Sequence, residues 1–362
     1  MFRIGVDSSK FGLPHPRPAT AVVERAAERG LQGVYFRSIL ELSPTLDLGE
    51  VREVTALAAD LDQQVEAGAG KANPFATPEA PAIRALGGGD YLRAMTRMVE
   101  VAAAAGIREL WSATANYQFR LAGRYAFDRF RTDVDWVEQL AATERFLRKL
   151  APVLRDHGVH LNLETHEEIT TFELVRLVET VGPDVLGITF DTANVLVRCE
   201  DPVAAVERIA PYVRATHVRD AALFFRPSGI ARVLAPCGEG VIDWERLLAP
   251  LAGRDLMLSV EGIVDPERAE MDLQVHDPAW QAGHPDLTVA EAFEVVRLTT
   301  TYAERVARGD AAGWEELHSP VGEHESLDFI DRSARHLRAV LASAGLPIHP
   351  QQTQKTDRSV TA

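Results

Sequence analysis

Four residues able to bind a metal ion sit at or near the ends of four short apolar runs in the second half of the chain. The runs read VHLNLE, LGITFD, RATHVRD and LMLSVE, and the residues are Glu164, Asp191, His217 and Glu261. Three carboxylates and one imidazole brought together would make an oxygen-rich site for a divalent metal ion. Each run has the composition of a strand buried on both faces, and each is followed by a helical pattern. In a parallel sheet or barrel the C-terminal ends of such strands converge on one face. A single acid at a strand end reads equally as a helix N-cap or a salt-bridge partner. Four successive strands ending this way carry the information.

The spacing supports one architecture. From Glu164 to Asp191 is 27 residues and from Asp191 to His217 is 26, each the length of one βα unit. The 44 residues from His217 to Glu261 are longer because ALFFRPSGIARVLAPCGEGVID reads as an inserted loop. In the first half, strands are predicted at Phe2–Asp7, Gly33–Arg37, Asp62–Glu66 and Ile107–Trp111. Helices are predicted over Ala19–Gly30, Gly49–Ala59, Tyr91–Gly106 and Asp133–His157, with Gly68–Gly89 as a loop over the catalytic end. Eight strand–helix alternations in about 260 residues match a (β/α)8 TIM barrel. A doubly wound sheet would carry a phosphate-binding glycine pattern in its first turn, but SSKFGLPHPRP follows the first strand.

The barrel is expected to span residues 1–310, with 263–287 as an inserted loop. Val289–Ala307 reads as the delayed eighth barrel helix. Residues 311–349 would form a C-terminal helical extension built on Ser326–Gly345, and the polar tail 350–362 reads as disordered.

Composition narrows the function. The chain has 362 residues, 46% hydrophobic and 25% charged, as in an ordinary globular enzyme. A net charge of −15 argues against nucleic acid as a partner. Cys199 and Cys237 are too few for a disulfide framework and read as reduced thiols. With no run long enough for a membrane span and no basic region leading into an apolar signal core, a cytoplasmic protein is expected.

NLETHE, FDTAN, THVRD, GEGVIDW and SVEG, in this order and at these strand positions, resemble the sugar phosphate isomerase/epimerase group of xylose isomerase-like TIM barrels. The rhythm of the resemblance covers Met1 to Gly262, and its motifs are specific from Val159 onward. The resemblance implies that Glu164, Asp191, His217 and Glu261 hold one divalent ion, Mn²⁺ foremost, with Mg²⁺ and Co²⁺ as alternatives. It implies isomerase or epimerase chemistry on a carbohydrate or keto-sugar: proton abstraction beside a carbonyl through a metal-stabilised enediolate, with Glu164 and Glu261 as the acid–base pair. The alternative within the same group is a lyase or dehydratase. Inosose dehydratases are one such type, and C-glycoside-cleaving barrels that take 3-keto-glycosides with a small partner subunit are another. A homo-oligomer is equally open.

Neighbouring residues have candidate roles. His166 is a candidate base or substrate contact, Asn194 and Arg219 candidate substrate ligands, and Asp220 a residue that orients a neighbour or caps a turn. Glu66 is placed at the third strand end, where it would bind a sugar hydroxyl or form a structural salt bridge, and Trp111 would stack on a sugar ring or pack in the core. His276, Trp280 and His284 fall in the segment after the last ligand, read as a lid or subunit contact rather than as extra metal ligands.

Overall fold

The computed structural model describes residues 1–12, 17–76, 80–118, 120–265 and 269–350. The expected disordered tail lies outside the described residues from 351 onward. Strands β1 Phe2–Asp7, β2 Gly33–Phe36, β3 Gln64–Gly68, β4 Glu109–Ser112, β5 His160–Glu164, β6 Leu186–Asp191, β7 Val213–Val218 and β10 Leu256–Val260 close into a parallel eight-stranded barrel. Every residue of β6 and of β10 is buried, as the apolar runs require of strands covered on both faces. Gly5 on β1 and Gly33 on β2 are small for a local reason: a Cβ on either would collide with the Met257 thioether that fills the space between them. No helix among the described residues is long and apolar enough to cross a membrane.

Three features differ from the sequence expectation. The long connection between His217 and Glu261 is not a loop. It is a hairpin of β8 Asp220–Arg226 and β9 Gly229–Ala235, turned at Pro227-Ser228. Likewise, the segment 263–287 contains β11 Glu270–Leu273, which pairs antiparallel with β9 and completes a three-stranded sheet.

The third difference concerns the eighth helix. The helix Val289–Arg308 packs on β8, and its Val295 and Tyr302 join Leu223, Val233 and Trp280 in a second apolar core. The helix Glu323–Ser343 instead lies against β1 and β10, burying Phe329, Ile330, Leu337 and Leu341 in the main core. It therefore occupies the eighth barrel position that chain order assigned to its predecessor. The physical reason is the extra sheet, whose apolar face captures the first available amphipathic helix. Beyond this helix the chain returns to the barrel floor, where the Phe2 amide donates to the Pro347 carbonyl and the His349 amide to that of Phe2, both at 2.8 Å.

Asp220 secures the base of the hairpin. Fully buried, it accepts hydrogen bonds from the amides of Ala221, Gly238 and Ile242 and from Trp244 Nε1. It orients its neighbours, as expected, and lies away from the cavity lining.

Candidate metal centre and active site

Parallel strands of similar length bring Glu164, Asp191, His217 and Glu261 to the C-terminal rim of β5, β6, β7 and β10. Asp191 and His217 are directly paired in register, as are His217 and Ser259, two residues before Glu261. One ligand atom from each of the four lies within 4.8 Å of every other, and all four residues are buried. His217 Nδ1 is 3.0 Å from Glu164 Oε1, while its buried Nε2 has no hydrogen-bond partner among the described residues. Burial works against charge on this imidazole, but Glu164, Glu261 and Asp191 together hold its pKa above the ordinary value. For Asp191, burial pushes the pKa up to about 6, with Glu261 and Glu164 adding and Arg219 opposing. So concentrated a negative field, with an orphaned ring nitrogen inside it, fits a hard divalent cation held by oxygen ligands and one imidazole.

The cluster is framed by residues from the other strand ends. Tyr35 stacks on His217 with ring centroids 4.0 Å apart, and Trp111 meets the same ring edge-on at 4.8 Å. Arg219 spans the centre, NH2 at 2.6 Å from Asp191 Oδ2 and NH1 at 3.1 Å from Glu261 Oε1. Lys10 reaches the same Glu261 oxygen at 2.5 Å. Burial opposes ionisation of Glu261, but Arg219, Lys10 and Arg37 outweigh it and hold its pKa well below the usual carboxylate range.

Above the cluster opens a cavity of about 410 Å³, within the range of small-molecule sites. Its lining includes Ser9, Lys10, Tyr35, Arg37, Lys71, Trp111, Asn116, Tyr117, Glu164, His166, Glu167, His217, Arg219 and Glu261. The inserted segment supplies Ile263, Val264, Asp265, Ala269 and Met271 to the same wall.

His166 reaches the cavity, with acids against both of its ring nitrogens. Its Nε2 is 3.0 Å from Glu167 Oε2, and its Nδ1 contacts Glu168, whose other oxygen accepts from Thr114. Burial opposes the charged form, yet the two glutamates hold this imidazole well above its usual pKa. Both ring nitrogens thus face carboxylates, an arrangement that favours the protonated imidazole.

The remaining candidates separate into lining and support. Trp111 lines the cavity and is anchored by its indole N–H to the Phe36 carbonyl at 3.1 Å. Arg219 lines it too. Asn194 does not; fully buried, it accepts from Arg219 NH2 at 3.2 Å and so orients that side chain. Glu66 is not at a strand end, because β3 runs two residues further, to Gly68. Its buried carboxyl accepts from Gln64 and is absent from the cavity lining. His284 and Trp280 are tucked into the second core beside Arg198, and His276 stands exposed near Pro227, so neither histidine joins the metal cluster. Lys10, Tyr35, Arg37 and Lys71 were not singled out by sequence. Each belongs to, or closely follows, one of the first three strands, so inspection of those strand ends would have found them.

A closed (β/α)8 barrel with a buried carboxylate–imidazole cluster on its C-terminal rim defines the class. The xylose isomerase-like TIM barrel model matches residues 23–297, about three quarters of the chain, and the chain belongs to that family. Among curated proteins it is 26% identical over 241 residues to 3-oxo-isoapionate decarboxylase of Pectobacterium atrosepticum, covering 65% of this chain and 73% of that protein. It is also 31% identical over 97 residues to YihM of Escherichia coli, but that match spans only 27% of this chain and 30% of YihM. Among solved structures, D-psicose 3-epimerase of Clostridium cellulolyticum superposes with a TM-score of 0.57 at 16% identity. That match covers 92% of this chain and 99% of the epimerase, a likeness of fold.

Proposed function

We propose that the protein is a divalent-metal-dependent enzyme that breaks a bond to the carbon beside the carbonyl of a sugar, acting as an isomerase or epimerase. The observation that carries this reading is the convergence of Glu164, Asp191, His217 and Glu261 within 4.8 Å beneath an open cavity. These four residues would hold Mn²⁺, Mg²⁺ or Co²⁺. A bound ion would supply Lewis acidity to the carbonyl and an adjacent hydroxyl, favouring loss of the proton between them. Glu164 is the candidate to take that proton and Glu261 the candidate to exchange one on the opposite face. Arg219 fixes the Asp191 and Glu261 carboxylates relative to each other, while Tyr35 and Trp111 cover His217 with apolar ring surface and limit water there.

A lyase is the second reading, favoured by one specific observation. Glu261 Oε1 is already engaged by both Lys10 and Arg219, which weakens it as a proton acceptor. A lyase does not need a second base. In a decarboxylation, for instance, the electrons of the C–C bond pass into the carbonyl, CO₂ leaves, and a proton is returned to carbon. His166, whose pKa Glu167 and Glu168 raise, would be a donor for that proton. The similarity to a decarboxylase supports the same branch.

The test is to load the protein with Mn²⁺, Mg²⁺ or Co²⁺ and follow ketoses, inososes, 3-keto-glycosides and 3-oxo sugar acids by NMR in D₂O. Deuterium entering beside the carbonyl with the skeleton intact supports the isomerase or epimerase. Loss of water, an aglycone or CO₂ supports the lyase. A loaded protein that catalyses neither change across the panel overturns both.

A further inference from the structure

Two cations line the cavity without an ion pair of their own among the described residues, although Glu168, Glu164 and Glu167 act on Lys71 and Asp7, Glu261 and Glu164 on Arg37 from a greater distance. Lys71, three residues beyond β3, is half-buried; its Nζ donates to the Ala115 carbonyl at 2.6 Å and forms no ion pair among the described residues. Arg37, one residue beyond β2, stands exposed at the cavity mouth, also without an ion pair among the described residues, its NH1 only 3.5 Å from Ser9 Oγ. Both differ from Lys10 and Arg219, whose charges are committed to Glu261 and Asp191.

A third cation lies behind the opposite wall. Arg232 on β9 is 1% exposed, and none of its three guanidinium nitrogens has a hydrogen-bond partner among the described residues. Its cross-strand partner is Met271, and both Met271 and Leu234, two residues along β9, line the cavity. Side chains of cross-strand partners and of alternate residues share one face, so Arg232 belongs to the cavity side of the sheet. A buried guanidinium without hydrogen-bond partners is costly, and Glu167 and Asp191 nearby offset only part of that cost, since burial and Arg219 still hold its pKa below the ordinary arginine value.

We propose that the substrate carries a carboxylate at the end remote from the metal cluster, held by Lys71 with Arg37 at the mouth, making the substrate a keto-sugar acid. This rests on the metal-dependent sugar reading above. A phosphate ester is the weaker match. Phosphate sites usually gather backbone N–H groups at a glycine-rich turn or helix N-terminus, whereas this rim offers two side-chain cations.

The test uses the full chain loaded with Mn²⁺ and three probes that differ only at C6: D-fructose, D-fructuronate and D-fructose 6-phosphate. Calorimetry gives each affinity, and Mn²⁺-enhanced water relaxation reports whether the sugar displaces water from the ion. D-fructuronate is expected to bind at least about tenfold more tightly than D-fructose, the effect of about 1.4 kcal/mol. Lys71→Met should bring the two level while keeping stoichiometric Mn²⁺. Equal affinities in the unsubstituted protein, no saturable binding of D-fructuronate, or a preference for the phosphate ester alone would each overturn the proposal. So would a Lys71→Met variant that weakens acid and neutral sugar equally. If D-fructuronate binds preferentially but leaves water relaxation unchanged, the carboxylate site stands and the metal-chelation reading fails.

Discussion

Nζ of Lys10 lies 2.5 Å from Oε1 of Glu261, so a cation from the end of the first strand rests against the last of the four ligand-type carboxylates. Ser326 supports this contact from outside the barrel by donating to the Lys10 carbonyl at 2.9 Å. The ammonium and a divalent ion would share one carboxylate at close range, where like charges repel strongly.

Replacing Lys10 with Met keeps the aliphatic stem and removes the charge. Mn²⁺ affinity should rise several-fold while turnover of any substrate falls, because Glu261 loses a group that positions it. Titration calorimetry with Mn²⁺ checks this, and an unchanged affinity would show that the two cations do not compete.

Glu261→Ala should leave the fold intact, since the residue follows β10 and packs no core. Metal affinity should drop by more than the about 10–100-fold that loss of an outer partner costs. Circular dichroism together with metal analysis after gel filtration decides the matter. A folded variant that retains one Mn²⁺ per chain removes Glu261 from the ligand set.

Ile330 is fully buried between the helix Glu323–Ser343 and the barrel. Ile330→Ala should cost about 2–5 kcal/mol in urea unfolding, as for other large-to-small core changes. A loss below about 1 kcal/mol, as for a surface substitution, would make the helix an appendage rather than the eighth barrel helix.

Glu200 does not line the cavity and supplies a pH prediction. Burial pushes its carboxyl up to about 8, against the opposing pull of Arg208, from an ordinary value of 4.5. Below the ordinary value the acid is protonated in both states and contributes nothing. Between the two values only the unfolded chain releases the proton, so stability falls as pH rises, by up to about 1.4 kcal/mol per pH unit. Above the folded value the penalty is constant. Glu200→Gln should abolish this slope, and parallel urea midpoints for the two proteins from about pH 5 to pH 8 would contradict it.

The barrel and its four clustered rim residues are legible in the sequence because both follow from local rules. Apolar runs such as LGITFD mark doubly covered strands, and a polar residue closing each run projects onto the rim. The same rule applied to the second strand leads to Arg37, whereas Lys10 and Lys71 lie three residues past the ends of the first and third. Their lack of metal-ligand character hides them from a search for ligands alone. The hairpin also has a local signal, since ALFFRPSGIARVLA places two apolar runs around Pro-Ser-Gly, but its length between two barrel strands reads equally as a loop. The exchange of the two last helices has no local signal. Val289–Arg308 and Glu323–Ser343 are both amphipathic, and only the presence of the extra sheet decides which one reaches the barrel. For His166, the adjacent Glu167 and Glu168 are visible in THEE, but their closing on both ring nitrogens depends on the turn after β5.

The closure of the ring by Glu323–Ser343, and the return of Pro347–His349 to Phe2, also set a timetable. During synthesis β1 leaves the ribosome well before its β10 neighbour, which lies some 250 residues further on, and its covering helix is later still. Until then one edge of the nascent sheet remains open, and Lys10 has no Glu261 to meet. The site is therefore completed only after β10 and the closing helix have emerged, and a chain cut short before Glu261 would carry Glu164, Asp191 and His217 without the wall that makes them a cage.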